Sequence, residues 1–200
     1  MSTSGKSYHH GDLRAALLTE AMRMVEAGEA FSLRAVAREA GVSPTAPYRH
    51  FTDRDALESA LAAQGLRDLL SDLTEGRPPV VTPEDLTEIA VAYVDFALRR
   101  PELFRLMFTN ACDEQNEERA RAAGQIHELL GRAMLGVFPD ADAEAMASAG
   151  WALAHGLACL YLDGKLLAAS RADVAVHVRR AFAAILTARP SAVQPGSSSS

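Results

Sequence analysis

Apolar residues recur along this chain three or four positions apart, which is the spacing of one helix face, and alternating strand-like runs are almost absent. The spacing begins with Leu13, Leu17 and Ala21 and continues to about residue 188. Glycine, proline and capping residues interrupt it repeatedly, and each interruption separates two helical stretches. The pattern therefore predicts an all-α fold with nine helices.

Specific signals mark several helix boundaries. Ser43 followed by Pro44 is a cap and a first-turn proline, which predicts the start of the third helix. Thr52 and Asp55 have capping-box spacing and predict the start of the fourth. The proline-rich stretch at 76–79 cannot continue a helix and indicates a linker. The expected organisation is an N-terminal unit over 8–54, a connecting helix over 55–75, a C-terminal helical unit over 82–188, and disordered tails at 1–7 and 189–200.

The net charge of −6 is unevenly distributed along the chain. Residues 1–54 hold seven Lys and Arg against six Asp and Glu, whereas residues 55–200 hold thirteen against twenty. Contacts with a polyanion are therefore expected from the first quarter of the chain alone.

Cysteine usage and hydropathy bear on the cellular compartment. Cys112 and Cys159 have neither metal-ligand spacing nor a disulfide framework, which is typical of a reducing environment. Residues 1–6 are polar, and no run of eighteen uncharged apolar residues occurs. These features predict a cytoplasmic protein that does not associate with a membrane.

Residues 31–51 have the pattern of two short helices joined by a tight turn. Gly41 can adopt the left-handed backbone conformation that the turn needs, and Ala37 is small where the second helix must cross closely. This is helix-turn-helix spacing, in which the second helix enters the major groove of DNA, although such a pair can also be plain scaffold. Thr45 and Ala46 suit base edges, and the surrounding polar side chains suit phosphates. The predicted DNA-contacting set is Ser32, Arg34, Ser43, Thr45, Ala46, Tyr48, His50 and Arg54.

The same segment resembles the DNA-binding domain of TetR/AcrR-family transcriptional regulators, whose pattern runs S-x-R-x-V/I-A-x-x-A-G-V-S-x-x-x-x-Y-x-H-F. The resemblance implies that Tyr48, His50 and Arg54 contact the DNA backbone. It also implies a C-terminal domain that binds a small ligand and forms a homodimer. Pro47 departs from the family pattern and is expected to distort the third helix, because it lacks an N–H and crowds the carbonyl of Ser43. The matching residues are Ser32, Arg34, Val36, Ala37, Ala40, Gly41, Val42, Ser43, Tyr48, His50 and Phe51.

The second half of the chain resembles a TetR subfamily with a W-x-x-x-H-G signature, here Trp151, His155 and Gly156. The stretch at 8–14 resembles the same subfamily. Trp151 and His155 are four residues apart and share a helix face, where they line a ligand pocket or pack as ordinary core. An aromatic group in the fifth and sixth helices has the same two interpretations. The predicted ligand-binding set is Tyr93, Phe96, Phe104, Met107, Phe108, Trp151 and His155.

Two late helices have faces that suit contact with a second copy. A small-residue face on the eighth helix allows close helix approach, and an apolar stripe runs along the ninth. Packing within one chain is the alternative explanation for both. The predicted dimer-interface residues are Ala145, Ala149, Ala152, Gly156, Val174, Val178, Phe182 and Ile185.

Signals for catalysis are weak. The sequence has no phosphate-binding glycine loop, no nucleophile elbow around Ser170 and no histidine spacing that suits a metal ion, so we expect no enzyme activity, cofactor or metal. The predicted function is a ligand-responsive transcriptional regulator, a repressor, that binds a pseudo-palindromic double-stranded DNA operator as a homodimer and is released by a small molecule. The alternative is a small-molecule sensor or carrier that has lost DNA binding.

Overall fold

The computed structural model describes residues 10–109 and 116–186, and its regular structure over these ranges is entirely helical. The predicted all-α class and the nine helical segments are confirmed, with one segment in 3₁₀ rather than α geometry. The α-helices are α1 (His10–Glu26), α2 (Leu33–Glu39), α3 (Arg54–Thr74), α4 (Pro83–Arg99), α5 (Pro101–Thr109), α6 (Glu117–Val137), α7 (Ala143–Leu162) and α8 (Arg171–Leu186), and the 3₁₀ helix is Ala46–Arg49.

The first three helical segments form a small unit at the N-terminus. Ser32 caps α2 by accepting a hydrogen bond from the backbone N–H of Ala35, as its sequence position predicts. Gly41 has a φ of 68°, so the turn after α2 uses the left-handed conformation that glycine tolerates. Val36 and Ala37 are completely buried, which holds α2 against α1.

The third segment is one turn of 3₁₀ helix, shorter than the α-helix expected after Ser43 and Pro44. Pro47 has no N–H to donate to the carbonyl of Ser43, and that carbonyl accepts instead from Ala46 at 3.0 Å. The proline therefore distorts this segment as the sequence predicts, and its buried ring fixes the segment against the unit.

Helix α3 begins one residue away from the predicted cap. Asp53, not Thr52, is the N-cap, and its carboxylate accepts from the backbone N–H of Ala56 at 2.8 Å. An aspartate at this position can make the same capping bond as the threonine, which is why the prediction was off by one. From there α3 continues away from the N-terminal unit and packs against α5 and α6.

The C-terminal body is built around α4, which packs against α7 and α8. Thr82 and Asp85 form a complete capping box at its start, as predicted. Among the described helices, α7 is the one that is long and apolar enough to cross a membrane. One such helix is weak evidence by itself, and 17% of its apolar window is buried in the structure. The predicted tails at 1–7 and 189–200, and the expected start of the seventh helix near residue 114, lie outside the described residues.

Candidate DNA-binding surface and candidate ligand cavity

The turn after α2 and the 3₁₀ helix present polar side chains to solvent. Ser43 and Thr45 are exposed, and their hydroxyl oxygens lie 3.2 Å apart. Tyr48, a large aromatic residue, is 49% exposed. Ala46 is half-buried. The predicted base-facing residues and Tyr48 therefore share one exposed region of the N-terminal unit.

Cations surround this region but differ in their partners. Arg34 is exposed and has no ion-pair partner among the residues that the structure describes. Arg54 is also exposed, but its Nε lies 2.7 Å from Glu58 and its guanidinium is 5.0 Å from the centre of the Phe31 ring. The two arginines therefore offer different amounts of uncompensated positive charge to a phosphate.

His50 is half-buried beside the 3₁₀ helix. Its Nε2 atom is buried and has no hydrogen-bond partner in the described part of the chain. An unpaired buried ring nitrogen costs free energy, and a rotation that brings the ring to an external acceptor would recover it. A contact between this nitrogen and the DNA backbone would therefore require the side chain to turn outward.

A hydrogen-bonded aromatic cluster lies in the C-terminal body between α4 and α7. The indole Nε1 of Trp151 donates to the Tyr93 hydroxyl oxygen at 3.2 Å, and that hydroxyl lies 2.9 Å from Nδ1 of His155. The donor and acceptor of this contact depend on the His155 tautomer. If the Tyr93 hydroxyl donates to an unprotonated Nδ1, the imidazole proton lies on Nε2, 3.5 Å from the sulfur of Cys159. Phe104 and Phe108 pack on the His155 ring with centroids 5.3 and 4.6 Å away.

Burial keeps this cluster uncharged. It raises the pKa of the Tyr93 hydroxyl well above its ordinary value, and it lowers the pKa of the His155 imidazole. Both shifts favour the neutral forms of Tyr93 and His155.

A cavity of about 250 Å³ adjoins the cluster and reaches α3 and α6. Four of the seven predicted ligand-binding residues line it: Tyr93, Met107, Phe108 and Trp151. Phe104 and His155 lie behind this wall, in contact with its rings. Phe96 does not line the cavity and instead lies beneath Arg99 and Arg100 at the end of α4. The lining residues that were not predicted are Leu66, Leu69, Arg119, Ala123, Ile126, His127 and Leu130.

One cavity residue that the sequence analysis missed, Arg119, could have been recognised from its position in the sequence. Arg119 falls in the same helical register as the apolar residues Ala122 and Ile126, where a charge is out of place. In the structure Arg119 is only 5% exposed, and its Nη2 donates to the carbonyl oxygen of Met107 at 2.8 Å. Leu66 and Leu69 had no such signal, because nothing in the sequence brings α3 next to α4.

The two predicted dimer faces differ in the structure. On α7, Ala145, Ala149 and Ala152 are exposed and Gly156 is half-exposed, with open space beside its Cα. On α8 the prediction of an outer stripe is wrong for three residues, because α8 turns this face onto α4 of the same chain. The three are Val174, Val178 and Phe182, all at most 7% exposed, while Ile185 is 61% exposed.

Ion pairs join the N-terminal unit to the body. Glu118 of α6 lies 2.8 Å from Arg14 of α1 and 3.4 Å from Arg67 of α3. Arg100, at the end of α4, contacts Glu26 of α1 and Asp68 of α3. Glu118 directly precedes Arg119, so one turn of α6 contacts both the cavity and the first helix.

The fold and surface define a helix-turn-helix protein with a separate helical body. A family model described as bacterial regulatory proteins of the tetR family matches residues 18–61, and one described as a tetracyclin repressor-like C-terminal domain, of the WHG type, matches residues 86–187. The chain belongs to the TetR family. The family is one of bacterial regulatory proteins, and residues 18–61 form its helix-turn-helix DNA-binding domain.

Individual proteins are similar to this chain in sequence or in fold. An uncharacterized HTH-type transcriptional regulator of Haemophilus influenzae is 30% identical over 121 residues, 58% of this chain and 59% of that protein, so the chain spans about three fifths of the relative's length. A solved structure of a protein of unknown function from Rhodococcus sp. RHA1 is 33% identical, with a TM-score of 0.75 over 89% of this chain and 97% of that one. A tetR-family regulatory protein from Rhodococcus RHA1, 20% identical, shares the fold with a TM-score of 0.64 over 86% and 94% of the two chains.

Proposed function

We propose that this chain is a cytoplasmic, ligand-responsive repressor that binds a pseudo-palindromic DNA operator as a homodimer and releases it when a small molecule enters the body. One observation carries the proposal: α3 begins beside the exposed residues that are predicted to contact DNA, and its second half lines the cavity. Arg54 is its first residue, and Leu66 and Leu69 are part of the cavity wall. A ligand that contacts this wall is therefore in direct contact with the helix that carries the N-terminal unit.

The exposed side chains support DNA binding. Thr45 offers a hydroxyl and a methyl group to base edges, and Ala46 offers a methyl-sized contact to thymine. Arg34 and Tyr48 are exposed and suited to phosphates, as are Ser32 and Arg54 nearby. A 3₁₀ turn is shorter than an ordinary recognition helix, so we expect few base contacts and a large contribution from phosphates.

The exposed face of α7 supports a homodimer. This helix is apolar, yet Ala145, Ala149 and Ala152 on one of its faces are exposed in a single chain. An exposed apolar face of this kind is typical of an interaction site. Ala149 and Ala152 allow a second copy of the helix to approach closely. A two-fold dimer would present two N-terminal units to half-sites about 34–36 Å apart on DNA.

The ion pairs of Glu118 support a second route by which a ligand in the cavity affects DNA binding. A ligand that shifts the first turn of α6 disturbs the pairs with Arg14 and Arg67 and so biases the position of α1. Such a ligand can lower DNA affinity only if it binds one arrangement more tightly than the other.

The test of DNA binding is selection from a pool of random duplexes, followed by fluorescence-anisotropy titration at several salt concentrations. Enrichment of a palindrome, with affinity that falls steeply as salt rises, is the expected result. Arg34→Ala should weaken binding to every sequence and reduce the salt dependence by about one phosphate contact. Arg121→Ala, which removes a cation from the exposed side of α6, is the matched control and should change neither quantity.

The opposite outcome favours the alternative function. If no sequence is enriched even at low salt, while the protein still binds small molecules, the chain is a sensor or carrier without DNA binding. The shortness of the 3₁₀ helix is the observation on which that alternative rests.

The test of the homodimer is analytical ultracentrifugation of Ala149→Glu. A carboxylate in the centre of the α7 face should convert the dimer to a monomer, because it would be buried without a partner. Gln125→Glu places the same charge on the exposed side of α6 and should leave the dimer intact. A dimer that tolerates Ala149→Glu would exclude this face as the interface.

A further inference from the structure

The cavity beside Trp151 is small and mostly apolar. Its volume of about 250 Å³ lies below the range of roughly 300–1,000 Å³ that pockets for drug-sized molecules occupy. Leu66, Ile126 and Leu130 contribute aliphatic surface, and Phe108 and Trp151 contribute aromatic rings. The described residues that line the cavity include no Asp or Glu. A molecule that fills it is therefore compact and has an apolar body.

Three of the four polar side chains among the described lining residues already have partners. The Tyr93 hydroxyl contacts nitrogens of both Trp151 and His155, which uses two of the three hydrogen bonds that a hydroxyl can make, and the one indole N–H of Trp151 is used in the same contact. Arg119 is only 5% exposed and donates to the Met107 carbonyl oxygen at 2.8 Å, so it too is occupied. Recognition of a ligand by these side chains would require breaking an existing interaction.

His127 is the fourth polar side chain, and it lies at the opening of the cavity. It is the one exposed residue among the described lining residues, and its ring lies edge to face with that of Trp151, with centroids 5.6 Å apart. Its Nδ1 lies 3.0 Å from the carbonyl oxygen of Ala123, one turn earlier on α6. A carbonyl oxygen can only accept, so Nδ1 carries the proton in this contact. In the neutral imidazole Nε2 is then an unprotonated acceptor, and it has no hydrogen-bond partner among the residues that the structure describes.

The interior and the opening of the cavity therefore differ in polarity. Apolar side chains line the interior, and the unoccupied acceptor of His127 lies at the opening to solvent. A ligand that buries its body against Phe108 and Trp151 brings its polar end to this opening, where that group also stays close to water. A hydroxyl can donate to Nε2, whereas an ether oxygen cannot.

We propose that the cavity binds a compact neutral hydroxy compound, a phenol or alcohol with a single apolar body, and that Nε2 of His127 accepts the hydrogen bond of its hydroxyl group. The inference rests on the proposed ligand-responsive function and specifies the class of ligand. A simpler role for His127, as an exposed side chain bonded to its own helix, would give the cavity no preference for a donor.

The test uses the fluorescence of Trp151, which is the only tryptophan in the chain and lines the cavity. The purified protein, without DNA, is titrated with 4-ethylphenol and with its methyl ether, which share the same body, and of which only the phenol has a hydrogen-bond donor. 4-Methylpentan-1-ol and its methyl ether form an aliphatic pair. Excitation at the red edge of the tryptophan band avoids absorption by the phenol. For each pair, the ratio of the hydroxy compound's affinity to the ether's affinity is the quantity compared between proteins.

Two variants locate the effect. His127→Phe keeps a ring beside Trp151 and removes Nε2, so the affinity ratio should fall about fivefold relative to the natural protein, the effect of one neutral hydrogen bond. Ala123→Leu narrows the same cavity and keeps Nε2, so it should weaken both probes of a pair and leave their ratio unchanged. Because the ring and extra methyl group of each ether are present in both proteins, differences in probe hydrophobicity cancel in this comparison.

The contrary results are equally specific. A ratio that is the same in the natural protein and in His127→Phe would exclude His127 as the recognition group and overturn the proposal. So would the absence of binding of all four probes to the natural protein at millimolar concentration. If His127→Phe fails to fold, as judged by circular dichroism, His127→Leu removes the same nitrogen from this exposed position and provides the same comparison.

A separate measurement distinguishes this proposal from the function on which it rests. The better-bound hydroxy compound is added to the complex of the protein with its selected operator, and anisotropy is followed. Fluorescence binding without DNA release leaves the ligand class correct and contradicts ligand-induced release. DNA release by the ethers but not by the hydroxy compounds supports the regulator and contradicts the ligand class.

Discussion

The helix-turn-helix surface and the aromatic cavity are built in opposite ways. The surface residues are nearly contiguous, and all eight predicted DNA-contacting positions lie between residues 32 and 54. The cavity takes its wall from α3, α4, α5, α6 and α7, so its residues are drawn from Leu66 to Trp151. Exposed side chains determine the first site, and buried packing determines the second. Substitutions in the surface should therefore change DNA binding with little effect on stability, and substitutions in the cavity wall should do the reverse.

The largest expected effect is on stability, from Phe104→Ala. Phe104 is fully buried and packs on Tyr93, Phe108 and His155, so its removal leaves a void among those rings. We expect the free energy of unfolding to fall by about 3–5 kcal/mol. Chemical denaturation monitored by circular dichroism measures this change. Leu167→Ala removes an apolar side chain that is 91% exposed and should change stability by less than about 0.5 kcal/mol. If both variants lost the same unfolding free energy, burial in the aromatic cluster would not explain the contribution of Phe104 to stability.

Tyr93→Phe should have an intermediate effect. It keeps the ring and removes the hydroxyl that both Trp151 and His155 contact, so two partly buried nitrogens lose a partner. A loss of about 1–3 kcal/mol in unfolding free energy is expected. Tyr161→Phe removes a hydroxyl from a less buried pair with His177 and is the matched control, with a smaller loss. If Tyr93→Phe were as stable as the natural protein, the hydrogen-bonded cluster would contribute nothing to the wall.

Tyr48→Ala should weaken DNA binding and leave the stability of the fold almost unchanged. Because the side chain is half exposed and outside the core, the unfolding free energy should change by less than about 0.5 kcal/mol. Operator affinity should fall roughly tenfold, and it should fall by the same factor for unrelated duplexes, because a phosphate contact carries no sequence information. Anisotropy titrations with the selected operator and with a scrambled duplex measure both quantities.

Thr45→Ala is the companion variant within the same surface. It removes a hydroxyl and a methyl group expected at base edges, so it should change the preferred sequence rather than the affinity for all DNA. Repeated selection from the random pool at constant salt tests this. An unchanged preferred site would mean that Thr45 does not read bases.

The smallest expected effect is a pH dependence of stability. Burial lowers the pKa of His155 in the folded protein below its value of roughly 6.5 in the unfolded chain. The unfolded chain then binds more protons as the pH drops below about 6.5, so the unfolding free energy should decline on acidification and be level above that pH. Denaturation of the natural protein and of His155→Gln at pH 7.5 and 5.5 measures the decline. The variant should lose less stability between these two values, and an identical loss would assign the dependence to other groups.

The amino-acid sequence by itself determined the helical class, the number of segments and the helix-turn-helix. These features depend on interactions within a few residues, such as the cap of Ser32, the positive φ of Gly41 and the missing N–H of Pro47. The aromatic residues Tyr93, Phe108 and Trp151 could also be predicted as wall residues, because bulky apolar side chains at helical spacing must pack inward.

Tertiary structure alone decided which faces meet. The apolar stripe of α8 is compatible with either an inner or an outer face, and only packing against α4 made it an inner one. In the same way, Phe96 follows Tyr93 on α4 by less than one helical turn, yet it packs beneath Arg99 and Arg100 instead of lining the cavity. Arg119 and Leu66 join the wall because α3 and α6 pack together, and no local pattern encodes that contact. Periodicity determines which residues of a helix share a face, whereas the neighbour of that face depends on the arrangement that buries the most apolar surface in the whole chain.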